Sequence, residues 1–113
     1  MAFGSITVER VDGESVVVAT GEQDLSTVDA FERALAEACE HGGSVIVDLS
    51  ESTFIDSSIA GSLLRYARDA ALATVVAPPG AEPRRLLDLL GFAEVAPLAG
   101  SRDDALRALR ESA

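Results

Sequence analysis

The sequence lacks features that several classes of protein require. It contains a single cysteine, Cys39, among 113 residues, which excludes an internal disulfide framework and favours a reducing compartment. No apolar run approaches the roughly 18 to 20 residues of a membrane span, and the first residues lack the basic and apolar character of a signal peptide. We therefore predict a cytoplasmic protein that does not enter the membrane.

Basic side chains are scarce as well. Nine Lys and Arg residues stand against 19 Asp and Glu residues, which gives a formal net charge of −10. A nucleic-acid backbone and an anionic membrane surface would both repel such a protein, so we expect neither to be a direct partner. One histidine, His41, lies close to Cys39, and without further Cys or His residues the pair predicts neither a metal site nor a serine hydrolase.

The apolar residues that are present suffice for one folded domain. Hydrophobic residues make up 48% of the chain, which is too many for intrinsic disorder. A chain of this length buries roughly two-thirds of its unfolded surface, but it is too short for a second domain of ordinary size. No linker, repeat or low-complexity segment interrupts it, so we expect residues 1–113 to form a single domain.

Strand and helix patterns alternate along this domain. Apolar runs on either side of the turn pair Asp12-Gly13 predict a β-hairpin. Three later apolar runs predict a central buried strand, a second strand and a short edge strand that tolerates a proline; they span residues 45–49, 74–77 and 95–98. Apolar residues at helical spacing predict four helices, which begin near Ser26, Ser57, Pro83 and Ser101.

The ends of these helices carry recognisable signals. Ser26 with Asp29, and Ser101 with Asp104, have the spacing of a capping box, and Ser57 or Ser58 is placed to cap the second helix. The third helix is predicted to bury three leucines and to stop at a glycine; these residues are Leu86, Leu87, Leu90 and Gly91. The predicted order β-β-α-β-α-β-α-β-α indicates an α/β domain, with a mixed sheet of four to five strands and about four helices packed on it.

Residues 49–58 are the most promising segment for function. We interpret them as a polar loop that leads from a strand end to a helix start, where binding chemistry collects in α/β domains. A helix start favours negative charge, so a phosphate on Ser57 or Ser58 would be stabilised there. The alternative is that these serines only cap the helix.

The same segment resembles the signature of the STAS domain, and specifically that of the bacterial anti-sigma factor antagonists. The resemblance extends over nearly the whole chain. It rests on a pattern of aspartate, serine and apolar residues, on a Gly-Glu-x-Asp segment before the first helix, and on a Gly-Phe turn after the third; these are Asp48, Ser50, Phe54, Ile55, Asp56, Ser57 and Ser58, then Gly21–Leu25, then Gly91 and Phe92. The glycine that usually follows Asp-Ser-Ser in this family is replaced here by Ile59.

The resemblance implies a phosphorylation switch. A member of this family binds an anti-sigma factor that is itself a serine kinase, and binding releases the sigma factor. The kinase phosphorylates the first serine of the motif, which is Ser57 here, and a phosphatase resets the switch. The catalysis belongs to these partners, so the resemblance implies no enzyme activity, cofactor or metal for this chain.

The resemblance also suggests roles for the residues around Ser57. We expect Asp56 to orient the serine hydroxyl, Asp24 to face the partner from a neighbouring loop, and Ser58 to cap the helix at the partner surface. Ile59 either contacts the partner or points into the core. Two other hypotheses keep the fold. One is a scaffold or transport-accessory subunit that is never phosphorylated, which Ile59 favours, and the other is a domain that binds a small molecule or nucleotide.

Overall fold

Residues 4–69 and 71–112, which the computed structural model describes, form six strands, four α-helices and one 3₁₀ turn. In chain order these are β1 (Ser5–Val11), β2 (Glu14–Gln23), α1 (Val28–His41), β3 (Val45–Asp48), β4 (Ser52–Ile55), α2 (Ser57–Arg68), β5 (Thr74–Val76), α3 (Glu82–Leu89), the 3₁₀ turn (Phe92–Glu94), β6 (Leu98–Ala99) and α4 (Arg102–Ser112).

The strands form one mixed sheet in the order β1-β2-β3-β5-β6, and β4 also pairs with β2. The β1–β2 pair is antiparallel and the other pairs are parallel. Asp12 and Gly13 form the predicted hairpin turn, and both have the positive φ, 51° and 84°, that a tight two-residue turn between twisted strands requires. As predicted, β3 lies in the middle of the sheet and is buried along its whole length. The predicted fold class is therefore confirmed.

The two faces of the sheet are covered unequally. Side chains alternate between the faces along each strand, so neighbouring residues of β2 enter different cores. Val17 belongs to the larger core, which α1, α2 and α3 cover, whereas Val16 belongs to a smaller core beneath α4. Three helices thus cover one face, and α4 packs alone against the other.

A buried ion pair joins α4 to the sheet. The guanidinium Nε of Arg102 lies 2.9 Å from Oδ2 of Asp48, whose side chain is only 4% exposed, and Arg102 also contacts Glu9 on β1 at 3.3 Å. As the capping prediction requires, the Ser101 hydroxyl accepts a hydrogen bond from the backbone N–H of Asp104 at 3.1 Å. The first motif aspartate, Asp48, therefore positions α4.

One strand was not predicted. The interpretation of residues 49–58 as a continuous loop is wrong, because Ser52–Ile55 form β4 beside the end of β2. The ten residues of β2 extend well past the four of β3, which leaves backbone groups of β2 in need of a partner. β4 supplies that partner, and Ser52 Oγ also donates to the Ala19 carbonyl at 2.7 Å.

The last strand lies further along the chain than predicted. Residues 92–94 wind into the 3₁₀ turn, and the strand that pairs with β5 is Leu98–Ala99 instead of residues 95–98. Pro97 therefore precedes the strand, where its carbonyl accepts from Val75 N–H at 3.0 Å and its missing donor costs nothing.

Two details of the predicted helix ends are also wrong. Ser26 does not cap α1, because its N–H and hydroxyl both bond to Asp24, and the N-cap residue is Thr27. Leu90 is about half exposed, because α3 ends at Leu89 and the left-handed Gly91 turns the chain away.

Candidate functional site

The candidate site lies where β4 ends and α2 begins. Asp56 is the residue between these elements, and its backbone N–H bonds to the Gln23 carbonyl at the end of β2 at 3.2 Å. The parallel pairing of β2 with β4 therefore fixes the first turn of α2 at the carboxyl end of the sheet. This is the edge where α/β domains usually place their binding residues.

The Asp56 carboxylate caps α2. Its Oδ1 accepts hydrogen bonds from the backbone N–H groups of Ser58 at 3.0 Å and Ile59 at 3.2 Å. The same oxygen accepts from Ser58 Oγ at 2.5 Å. The prediction that Ser57 or Ser58 caps this helix is therefore wrong, because Asp56 occupies the N-cap position and Ser57 is already the first helical residue.

These hydrogen bonds set the ionisation of Asp56. Partial burial alone would raise the pKa of its carboxyl group. The hydrogen bonds from Ser58 Oγ and from the backbone N–H groups of Ile59, Ser58 and Leu25 act in the opposite direction and outweigh burial, so the pKa of Asp56 lies below its ordinary value. Asp56 is thus a carboxylate throughout the physiological range.

The two motif serines have different surroundings. Ser58 is half-buried, and its hydroxyl is held by Asp56. Ser57 is exposed, and within residues 4–69 and 71–112 its hydroxyl takes part in no hydrogen bond. Asp56 therefore orients the hydroxyl of Ser58, whereas that of Ser57 projects freely from the first turn of α2.

The side chain of Ile59 is completely buried and belongs to the larger core. Of the two outcomes that the sequence left open, the structure selects the core position. The Ile59 side chain therefore does not contribute to the exposed surface at the start of α2.

Asp24 organises the loop that faces Asp56. Its Oδ1 accepts from the N–H of Ser26 at 2.9 Å, while its own N–H donates to Thr27 Oγ1 at 3.0 Å. The next residue, Leu25, donates its N–H to Oδ2 of Asp56 at 3.1 Å. The structure thus brings the loop of Asp24 and the start of α2 together, as the sequence predicted for neighbouring loops.

A groove of about 480 Å³ opens beside Ser57, between β4 and α3. Its lining consists of the residues around the helix start and one side of α3, namely Phe54, Ile55, Asp56, Ser57, Glu82, Arg85, Leu86 and Leu89. Two of its apolar side chains are strongly exposed, Phe54 at 43% and Leu89 at 84%. On the other side of Asp56, Leu25 is 75% exposed. Ser57 is therefore flanked by apolar surface.

A family model described as "Mlab, STAS domain" matches residues 6–100, which is most of the chain and includes the whole site. The chain belongs to the STAS domain family. A comparison with curated protein sequences returned no significant match.

This STAS domain is similar in structure to anti-sigma factor antagonists. An anti-sigma factor antagonist from Mycobacterium paratuberculosis is 33% identical with a TM-score of 0.86, and the match covers 96% of this chain and 95% of that one. The unphosphorylated anti-sigma factor antagonist SpoIIAA is 20% identical with a TM-score of 0.70, covering 94% and 98%. The phosphorylated form of SpoIIAA from Bacillus is 22% identical with a TM-score of 0.67, covering 93% and 99%.

Part of the site in this STAS domain was not foreseen from the sequence. Of the groove residues on α3, only Leu86 was named from the sequence, and it was predicted to be part of a buried leucine stripe. The available signal was that residues 86–90 contain more leucines than one buried stripe can hold, and Leu89 and Leu90 are indeed exposed. Phe54 was missed as a groove residue because β4 itself was missed.

The described parts of this STAS domain show no metal site. Within residues 4–69 and 71–112, no three His, Cys, Asp or Glu side chains are grouped so that they could hold a metal ion. Cys39 is half-buried, and its burial raises the pKa of the thiol. Over the same residues, no helix combines the length and apolar character that a membrane crossing needs.

Proposed function

We propose that this STAS domain is an anti-sigma factor antagonist. In this proposal it binds an anti-sigma factor that is a serine kinase, and thereby releases the sigma factor, until phosphorylation of Ser57 ends the interaction. The observation that carries the proposal is the contrast between the two serines. Ser57 is exposed and its hydroxyl is unbonded, whereas the Ser58 hydroxyl is held by Asp56. A kinase can thus approach Ser57 without breaking a bond of the fold.

The phosphorylation step uses ATP bound by the kinase. Ser57 Oγ attacks the γ-phosphorus, a new O–P bond forms, and the bond from the γ-phosphorus to the bridging oxygen of ADP breaks. The hydroxyl proton passes to a base of the kinase. The catalytic groups therefore belong to the partner, and this domain is the substrate, not the enzyme. The proposal places the protein in the cytoplasm, where ATP and the sigma factor occur.

The surroundings of Ser57 explain how a phosphate would end binding. The modification adds about −1.5 to −2 charges at neutral pH, beside a carboxylate whose pKa is already low. It does so at the mouth of a groove lined by Phe54 and Leu89. Covering a phosphate dianion with an apolar partner surface removes its hydration, which is strongly unfavourable. In this scheme a phosphatase removes the phosphate and restores the binding form.

A second candidate function is a constitutive scaffold or transport-accessory STAS domain. The buried Ile59, in place of the glycine usual in the family, favours it, because the start of α2 here is built around a core side chain. In this case Ser57 would remain unmodified, and its substitution would leave the assembly of the partner complex unchanged.

A binding experiment separates the two candidates. The probe is each serine-kinase anti-sigma factor encoded in the same genome, titrated against the parent protein and against Ser57→Ala, Ser57→Asp and Ser58→Ala. We expect Ser57→Asp to weaken binding roughly tenfold or more, a change of about 1.4 kcal/mol or more. Ser57→Ala is expected to bind like the parent. Equal binding by all four proteins would contradict the switch and support the scaffold.

A further inference from the structure

Arg85 on α3 lines the same groove as Ser57 and is the only basic residue in the groove's lining within the described chain. Its side chain is 65% exposed, and its guanidinium is held weakly. It pairs with Glu82 at 3.3 Å, three residues away on the same helix, and donates to the Gly80 carbonyl at 3.4 Å. Exposed pairs of this kind contribute little to stability. Arg85 can therefore exchange its partner at little cost.

A phosphate on Ser57 would find few hydrogen-bond donors in its own helix. The N–H groups of Ser58 and Ile59, which a helix start normally offers to an anion, already bond to Asp56. The carboxylates of Asp56 and Glu82 line the same groove, so the phosphate would add negative charge to negative charge. Arg85, which lines the same groove from α3, is the cationic side chain available to such a phosphate there.

We propose that Arg85 binds the phosphate of phosphorylated Ser57 and releases Glu82 to do so. This inference rests on the proposed function only in that Ser57 is the modified residue. A guanidinium binds a phosphate dianion through two parallel hydrogen bonds, and such a pair is stronger than the single exposed contact with Glu82. The structure thus assigns a phosphate-binding site whose cation comes from the opposite side of the groove.

This pairing would change the groove as well as its charge. With its guanidinium on Ser57, the Arg85 side chain would extend from α3 to the start of α2 within a groove that Phe54 and Leu86 also line. The phosphorylated protein therefore covers its own apolar surface. Loss of partner binding then has two causes, the hydration of the phosphate and the closure of the groove.

The pairing can be tested without any partner protein. Phosphoserine is installed at position 57 during synthesis, and the second pKa of the phosphate, ordinarily about 6, is measured by ³¹P NMR titration. Because the positive charge of Arg85 favours the dianion, the substitution Arg85→Gln is expected to raise this pKa by about 0.5 pH units. The matched control is Arg84→Gln, which removes the same charge one residue earlier. Arg84 instead donates to the Ala77 carbonyl at 2.8 Å and is not part of the groove.

A rise for Arg85→Gln and a smaller or absent rise for Arg84→Gln supports the pairing. Identical pKa values for the parent protein and Arg85→Gln, or equal shifts in the two variants, would overturn it. Because the phosphate is installed chemically, this result does not depend on whether any kinase acts on Ser57. Failure to find a kinase would contradict the proposed function alone, and an unshifted pKa would contradict this inference alone.

Discussion

At the scale of single residues, three adjacent side chains at the start of α2 have different roles. Asp56 caps α2 and holds the Ser58 hydroxyl, and it also bonds to the loop of Asp24 through the N–H of Leu25. Asp56 and Ser58 make these contacts, whereas the Ser57 side chain makes no hydrogen bond within the described residues. A residue without a structural task can be modified without destabilising the fold, which is what a reversible switch needs.

The role of Asp56 gives a stability prediction. Replacing it with alanine leaves the N–H groups of Ser58 and Ile59 without their acceptor, so Asp56→Ala is expected to cost about 1–2 kcal/mol at neutral pH. Ser57→Ala, the matched control one residue away, should change stability by less than about 0.5 kcal/mol. Urea denaturation measures both values. A cost for Ser57→Ala as large as that for Asp56→Ala would contradict this division of tasks.

The difference in stability between the parent and Asp56→Ala should depend on pH. The pKa of Asp56 is lower in the folded state than in the unfolded state, so its contribution is fully present above the unfolded value of about 3.9. It is lost as the pH falls through the lower, folded value. The gap in stability between the parent and Asp56→Ala should therefore narrow below about pH 4. A gap that stays constant down to pH 2 would show that the capping carboxylate is not the cause.

Sequence reasoning identified the Asp56–Ser58 segment but assigned the cap to the wrong residue. Aspartate and serine are both favoured at the N-cap, so three consecutive candidates cannot be ranked by residue type. The choice depends on backbone conformation. Asp56 has the extended φ of −104° and ψ of −176° that an N-cap residue adopts, because β4 pairs up to its neighbour Ile55. That pairing is a tertiary contact.

At the scale of secondary-structure elements, α2 is fixed by its core side as well as by its cap. Ile59 lies in the first turn and is completely buried in the larger core. The glycine that is usual in the family at this position would remove all of this packing. The departure from the family pattern is therefore a feature of the core, not of the exposed surface.

This placement gives a second stability prediction. Ile59→Gly is expected to cost about 4 kcal/mol, since it leaves a cavity and introduces glycine into a helix. Ile59→Val, which keeps most of the side chain, should cost about 1 kcal/mol. Thermal and urea denaturation test both. Parent-like stability of Ile59→Gly would mean that the helix start does not depend on this residue.

The helix on the other face, α4, is joined to the sheet by Arg102 as well as by its apolar core. Removing Arg102 leaves Asp48 as a buried charge with no cation beside it, so Arg102→Leu should cost about 2–3 kcal/mol and increase hydrogen exchange in α4. Arg107→Leu removes an exposed arginine from the same helix, which pairs with Asp104 at 3.2 Å, and should cost less than about 0.5 kcal/mol. Equal costs would contradict the anchoring role of Arg102.

Elements with strong periodicity were predictable, and those that depend on distant pairing were not. The apolar spacing of α1 and the unbroken apolar run of β3 correspond closely to the structure. β4 has no comparable pattern in the sequence. It forms by pairing with the part of β2 that extends past β3, which is its only strand partner among the described residues. The position of β6 was also mispredicted, because its register is set by pairing with β5, which is distant in the sequence. The strand therefore begins after Pro97 instead of at residue 95.

At the scale of the whole molecule, the apolar surface and the modifiable serine lie at the same end. Leu25, Phe54 and Leu89 are among the most exposed large hydrophobic side chains of the described chain, and all three lie near Asp56 and Ser57. The acidic excess of the chain keeps such a surface soluble. These neighbouring exposed apolar side chains support the proposed partner surface at this end of the domain.

This arrangement predicts a binding effect without a stability effect. Because Leu89 is 84% exposed and lines the groove, Leu89→Gln should weaken binding of the anti-sigma factor roughly tenfold while changing stability by less than about 0.5 kcal/mol. Leu90→Gln is the matched control, because Leu90 is exposed on the same helix end but does not line the groove. Calorimetric titration measures both affinities. A larger loss for Leu90→Gln would place the partner elsewhere.

The central claim is that Ser57 is the phosphate acceptor of the switch. The most direct test is intact-mass and peptide mass spectrometry after incubation with ATP and each serine-kinase anti-sigma factor of the same genome. The account predicts one added phosphate on the parent and on Ser58→Ala, mapped to Ser57, and none on Ser57→Ala. A stable complex with a kinase but no added phosphate, or a phosphate mapped to Ser58, would contradict it.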